Sequence, residues 1–478
     1  MTISKTNLFK LAFTISIASL LLIHSNNLQS SEGENKLAIK HDVFVSDVKG
    51  VKPSQLVSRY WKGKLTPKQS PLLTKEQIKV NNKQILNKLP FLTDLEIFPT
   101  NLNKEFILDK IYSISVRSKS NRYYKSGHLV SDADYKAYQD KMNLASVVGN
   151  ASVDFALVVS RADLRSFPTN DKIYKTPEDI NIDRFQETAL FPTEAVAILH
   201  QTVDKNWSFV VSYNYAAWIE TKYLAIGGKN EIFNYKNSSN FLVVTGDKVF
   251  TSFNPSNKQV SEVQLEMGIA IPLVEKHKIP KTIGGQNTYA SYVVNLPTRT
   301  SEGKLKFEAA LIPKNKDVNI GYLEFNKKNL IEQSFKFLGE RYGWGHSFNA
   351  RDCTGFVGEI YKSFGILMPR NSGQQGKAAY GHNIHFTKEA SKEEKLKELK
   401  KLEVGDLIYI PGHVMMFLGY EQDQPFIIHD VAGMSYFKEN GEFYKSQLNG
   451  VSVTPLLPLQ LNQETSYLDR IYNIKKIR

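Results

Sequence analysis

The stretch that decides the fold is RDCTGFVGEIYKSFGI, residues 351–366. Phe356, Val357, Ile360, Tyr361 and Phe364 recur at the spacing of one helical face, so an amphipathic helix is expected here. Asp352 or Thr354 can cap its start, and Gly365 and Pro369 mark its end. Cys353, the one cysteine of the 478-residue chain, falls at the amino end of that helix. A lone cysteine makes no intrachain disulfide and no zinc cluster. The positive end of a helix dipole favours a thiolate, and a thiolate is a nucleophile.

Downstream, VGDLIYI (404–410), Pro411-Gly412 and HVMMFLGY (413–420) read as two strands around a tight turn, and PFIIHDVAG (425–433) as a third. A helix followed by antiparallel strands indicates α+β. His413 opens the middle strand, and alternation puts it on one face with Met415 and Phe417, expected to face the helix. His429 lies on the next strand. Cys353, His413 and His429 are therefore candidates for a nucleophile, a base and an orienting group. His382 and His385 compete as bases, and burial as a small hydrophobe competes for Cys353.

Five strings occur in a fixed order: YGWG (342–345), RDCTGF (351–356), FGILMPRNSGQQ (364–375), GDLIYIPGHVMMFLG (405–419) and IIHD (427–430). Together they resemble the NlpC/P60 cysteine peptidases, papain-like enzymes that cleave bacterial cell-wall peptides. Thr354 stands where that family usually has Ser, and Met368 where it has Leu. The resemblance implies Cys353 as nucleophile, His413 as base and acid, and His429 as orienting residue. It also implies substrate-binding roles for Tyr342, for Asp352 (toward a free amino group, with helix capping as the plain alternative), and for Tyr215 and Trp218, which with Tyr213 alternate in a way that fits core residues equally well. Arg370, Asn371 and Ser372 are expected only to shape the nearby loop. No metal and no cofactor is implied.

Upstream, 183–219 and the strands around it suggest a small barrel, and a second set of strands follows at 241–246, 270–275, 288–296 and 306–313. This order resembles a multidomain branch of the family. The expected layout is a mainly helical N-terminal stabilising domain (32–154), SH3-like domains at 155–230 and 231–326, and the peptidase at 327–478. Lys5 and Lys10 precede an apolar run, Leu11–Ile23, too short for a comfortable membrane span. Residues 1–25 are accordingly expected to be a signal peptide, with Ser25 and Ser31 both open as its end and an uncleaved anchor as the alternative.

The expected protein is exported to the periplasm or cell envelope, or secreted, with no membrane span after signal removal. Its partners would be murein peptides or peptidoglycan. The net charge of +13 suits an anionic partner. Nucleic acid is not expected, because the basic residues form no basic-aromatic stripe and export argues against it. The bond implied by the resemblance joins γ-D-glutamate to the diamino acid, diaminopimelate. The alternatives are an N-acetylmuramoyl-L-alanine amidase with the same site and a catalytically inactive wall-binding protein. A lipid-modifying acyltransferase of the wider superfamily is disfavoured, since those place His ahead of Cys.

Overall fold

A computed structural model describes residues 46–67 and 70–478; the expected signal peptide lies outside them. Residues 45–478 form one unit. The first long helices are α1 (Lys75–Lys88), α2 (Lys104–Ile114) and α3 (Asp132–Lys141). Each begins at a side-chain cap: Thr74 accepts from Gln77, Asn103 from Phe106 and Ser131 from Asp134. Such caps satisfy backbone donors that the helix itself leaves unpaired.

Seven antiparallel strands follow: β1 (Asp154–Val158), β2 (Ala162–Arg165), β3 (Gln186–Leu190), β4 (Ala195–Gln201), β5 (Trp207–Val211), β6 (Ala216–Glu220) and β7 (Leu224–Gly227). Their order in the sheet is β7-β1-β4-β5-β6-β2-β3. A turn at Thr221–Tyr223 separates β6 from β7. Alternation divides the sheet's side chains between two cores. Phe155, Leu157, Phe209 and Trp218 pack with Ile107, Ile111, Tyr135 and Tyr138 of α2 and α3. Ala156, Val158, Val210 and Ile219 fill the other side.

Helix α4 (Lys229–Lys236) leads into β8 (Phe241–Val244), β9 (Ala270–Pro272), the hairpin β10 (Ser291–Arg299) and β11 (Leu305–Pro313), and β12 (Val318–Ile320). Strand β8 lies between β9 and β12. Leu242, Val244, Ile271, Val294 and Ile312 share a further core with Phe191.

The C-terminal part begins with α5 (Lys327–Phe335) and α6 (Cys353–Lys362). Its six strands are β13 (His382–His385), β14 (Leu407–Ile410), β15 (His413–Glu421), β16 (Gln424–Val431), β17 (Gly450–Pro455) and β18 (Asn473–Lys476). They pair antiparallel in the order β13-β18-β14-β15-β16-β17. The turn between β14 and β15 is Pro411-Gly412, with Ile410 paired to His413 and Gly412 at φ +81°. Proline fixes the first turn position, and glycine takes the left-handed second one without strain.

One expectation about this sheet is corrected. Val414, Met416 and Leu418 are the residues that pack against Phe356 and Val357 of α6. Met415 and Phe417 face the opposite layer, with Tyr467 and Leu468. The pleat puts odd-numbered residues of β15 away from the helix, so His413 acts from the strand's end rather than across its helix-facing side.

Candidate active site

Cys353 is the first residue of α6 and is 7% exposed. Asp352 caps the helix by accepting from the Gly355 N–H at 2.9 Å. The Val414 backbone N–H, next in sequence to His413 at the start of β15, acts on the Cys353 thiol and favours its charged form. The two histidines meet: His413 Nε2 is 2.9 Å from His429 Nδ1. On the far side, His429 Nε2 is 3.1 Å from Thr454 Oγ1 on β17. His382 and His385 sit three strands away, on the edge strand β13, and take no part.

Arg370 is the hub of the remaining polar groups. It holds Asp352 with two nitrogens, at 3.0 and 2.7 Å. It also donates to Thr188 Oγ1 at 2.7 Å, reaching strand β3. Both Asp352 oxygens are fully engaged, since Gly345 N and Thr354 Oγ1 donate to them as well. Burial works to raise the Asp352 carboxyl, but the Arg370 charge overrides it and holds the group well below the usual range.

The loop at 344–349 is shaped from outside. Gly345, His346, Phe348 and Asn349 all have positive φ, a costly set for the three non-glycine residues. Side chains of the seven-stranded sheet hold it there. Gln186 donates to Gly345 O, Trp344 Nε1 donates to Gln186 O, and Arg161 donates to His346 O. A Cβ on Gly345 would come within 3.0 Å of Gln186 and of the Glu187 backbone, so the two parts of the molecule touch through this glycine. Clamping the loop fixes Gly345 N against Asp352, one residue before the thiol. Behind it, the fully buried Arg351 joins Glu359 and both oxygens of Glu340. Its third branch donates to Asp247 O, beyond β8.

Tyr342 is tied by its N–H to Asn449 O and bridges to Arg351. Burial, then the neighbouring Cys353 and Asp352, push its hydroxyl far up. Tyr215 comes from the loop between β5 and β6. Its hydroxyl donates to Glu187 at 2.5 Å, and the Arg370 charge acts on it. Trp218 does not belong to the site. It is fully buried against Phe209, and its Nε1 donates to Ser115. Three residues into β6, its side chain points into the helix-covered core, whereas Tyr215 precedes the strand and escapes the alternation. Asp430, after His429, is fully buried with no hydrogen bond to either carboxyl oxygen, and burial pushes its carboxyl pKa well above the usual range.

The expected lowering of the thiol pKa is also corrected. Burial pushes Cys353 up to about 12, and the Asp352 carboxylate adds to the rise. The helix end that should favour a thiolate already holds that carboxylate. Burial also lowers His413 to about 4. Both shifts favour the uncharged forms, thiol and imidazole. Iodoacetamide should alkylate Cys353 more slowly than free cysteine at neutral pH, with the rate climbing across the alkaline range. Fast alkylation that is flat from acid to neutral pH would show a thiolate–imidazolium pair and contradict this.

Residues 339–456 match the NlpC/P60 family, and residues 172–220 match an SH3 domain of the SH3b1 type. The chain carries an NlpC/P60 domain. The NlpC/P60 family comprises peptidoglycan hydrolases, and its peptidases are cysteine peptidases. The chain is similar to a gamma-D-glutamyl-L-lysine dipeptidyl-peptidase of Bacillus cereus, at 25% identity over 323 residues, covering 62% of this chain and 84% of the relative. It shares its fold with a solved NlpC/P60 endopeptidase of Photobacterium damselae subsp. piscicida, at TM-score 0.68 and 18% identity, covering 87% of this chain and 96% of the other. A solved NlpC/P60 family protein of Bacillus cereus is 22% identical, with TM-score 0.44, covering 68% of this chain and 99% of the other. The NlpC/P60 domain contains Cys353, His413 and His429, and the SH3 match contains Glu187, Tyr215 and Trp218. Among the described residues, no helix is long and apolar enough to cross a membrane.

Arg370, Glu187 and Thr454 are the residues that sequence reasoning missed. Arg370 stood inside a quoted string but was given no chemistry. Glu187 and Thr454 carry no local signal, because only the folding of distant strands brings them to the site.

Proposed function

We propose that the chain is an exported cysteine peptidase that cleaves the bond between γ-D-glutamate and the diamino acid of cell-wall peptides. The carrying observation is the line His413–His429–Thr454, which starts next to Val414, the residue whose backbone N–H acts on the Cys353 thiol. If His429 Nε2–H donates to Thr454 and His413 Nε2–H donates to His429, the Nδ1 of His413 keeps a free lone pair for the thiol proton. Cys353 Sγ then attacks the γ-carbonyl carbon as its proton passes to His413. The C–N bond breaks, the amine leaves with that proton, and a thioester remains on sulfur. Water, deprotonated by His413, releases the peptide acid. Because both shifts favour the uncharged forms, proton transfer accompanies attack instead of preceding it.

The wall of the cleft supports a short peptide with a free amino end. Asp352 is already saturated by Arg370 and backbone N–H groups, so its part is to cap α6 and fix Arg370. Glu187, bonded to Tyr215 through one oxygen, has no hydrogen bond to the other among the described residues and is the better receptor for an amine. Tyr342 lines the thiol side. The bond assignment draws on the name of the Bacillus cereus relative, a gamma-D-glutamyl-L-lysine dipeptidyl-peptidase. In this reading residues 1–25 direct export, 32–154 stabilise the fold, 155–230 and 231–326 are SH3-like, and 327–478 are the peptidase.

The test is digestion of L-Ala-γ-D-Glu-diaminopimelate tripeptide and of intact sacculi, with products read by mass. Free diaminopimelate from the tripeptide is expected. An inert tripeptide combined with cleavage of a muramoyl peptide at L-Ala would instead establish the amidase reaction.

A further inference from the structure

Away from Cys353, a cleft of about 540 Å³ opens where α1, α4, the edge of the β8–β9 sheet and the loop after α6 meet. Three lysines line it: Lys75 and Lys79 from the first turns of α1, and Lys236 from the end of α4. No acidic residue lines it among the described residues. Among the described residues, none of the three lysine side chains makes an ion pair or a hydrogen bond. Three ammonium groups lining one concave space present a positive surface to an anion.

The Lys236 side chain is solvent-exposed on the lining of the cleft. Partial desolvation, then the charge of Lys362, act to lower its ammonium pKa. The nearest carboxylate acting on it, Glu194, is already paired with Lys362. Opposite the lysines, Phe241 and Tyr322 pack edge to face at 5.1 Å and offer an apolar wall. Asn82 pins the remaining side by donating to Gly365 O and accepting from Leu367 N. The space falls within the range of small-molecule sites.

We propose that this cleft binds a small organic molecule carrying two or more carboxylates, which the three lysines neutralise while its carbon skeleton lies on Tyr322 and Phe241. An inorganic anion would satisfy the lysines but leave the aromatic wall unused. This proposal does not rest on the reading of the Cys353 site.

Competitive acetylation of the full chain tests it, with the Cys353→Ala variant preventing hydrolysis. The protein is pulsed with acetic anhydride, and lysines are read one by one by peptide mass, the surface lysines serving as internal controls. The probes are citrate, γ-D-glutamyl-diaminopimelate and, at matched ionic strength, inorganic phosphate. Either carboxylate probe, at ten times its Kd, should slow labelling of Lys79 and Lys236 about tenfold, with phosphate far weaker. Lys236→Gln should weaken the carboxylate probes about tenfold as read by protection of Lys79. Lys75→Gln, on a different helix, should do the same by a separate route and guards against a misfolded variant. Equal protection by phosphate would overturn the carboxylate ligand in favour of a simple anion site. Labelling unchanged by every probe would overturn the site itself.

Discussion

Cys353→Ala should lower turnover of the wall tripeptide by about 10⁵-fold or more, because losing a covalent nucleophile removes a whole reaction path. The fold should survive. Cys353 lies in the core cluster around α6, and the alanine methyl keeps most of its packing. The stability loss should therefore be about 1 kcal/mol. Tripeptide affinity should stay near that of the parent, since the receptor side chains Glu187, Tyr215 and Tyr342 are untouched. The combination is diagnostic: kinetics collapse while calorimetric binding and melting stay put. Turnover within tenfold of the parent would remove Cys353 from the chemistry and leave the protein as a binder.

Arg370→Met should cost stability instead. Arg370 is buried and holds a buried carboxylate with two bonds, and it also reaches Thr188, Thr354 and His346. Removing one member of such a pair leaves the other charge desolvated and alone, a loss of about 3–5 kcal/mol. The sign with pH follows from Asp352. Its carboxyl is held low in the folded chain, so the stability it contributes is present above the unfolded carboxyl pKa and is lost as pH falls through the folded one. Arg370→Met should therefore hurt most at neutral pH and less in acid, where Asp352 can take up a proton. Arg370→Met combined with Asp352→Asn should recover part of the loss, because no lone charge then remains. Denaturant melts of the two singles and the double give the coupling directly. A single variant within 1 kcal/mol of the parent, with no recovery in the double, would show that the pair does not hold the cleft together.

Much of this architecture was legible in residues close in sequence. The helix at 353–362 was readable because its apolar spacing and its Asp352 cap are local. The hairpin at 407–421 was readable because Pro411-Gly412 specifies a turn. The pairing of His413 with His429 followed from placing them on neighbouring strands. What failed depended on which face a strand shows. The pleat direction of β15 cannot be read from alternation alone, since both of its faces are apolar and both are buried. Trp218 failed for the same reason: a tryptophan on a barrel strand fits a core as well as a cleft, and only the covering helices α2 and α3 decide. The thiol pKa failed because helix geometry predicts one direction while burial and the Asp352 charge, both products of tertiary packing, act in the other. Arg370 and Glu187 gain their roles only when the SH3 part is laid against the loop at 344–349.

The most direct test of the central claim is to quench the wild-type protein during turnover of L-Ala-γ-D-Glu-diaminopimelate and to weigh the peptide that contains Cys353. The account predicts an L-Ala-γ-D-glutamyl group on the Cys353 sulfur as a thioester, removable by hydroxylamine and absent from Cys353→Ala. Product formation with Cys353 never acylated, or acylation at another residue, would contradict it.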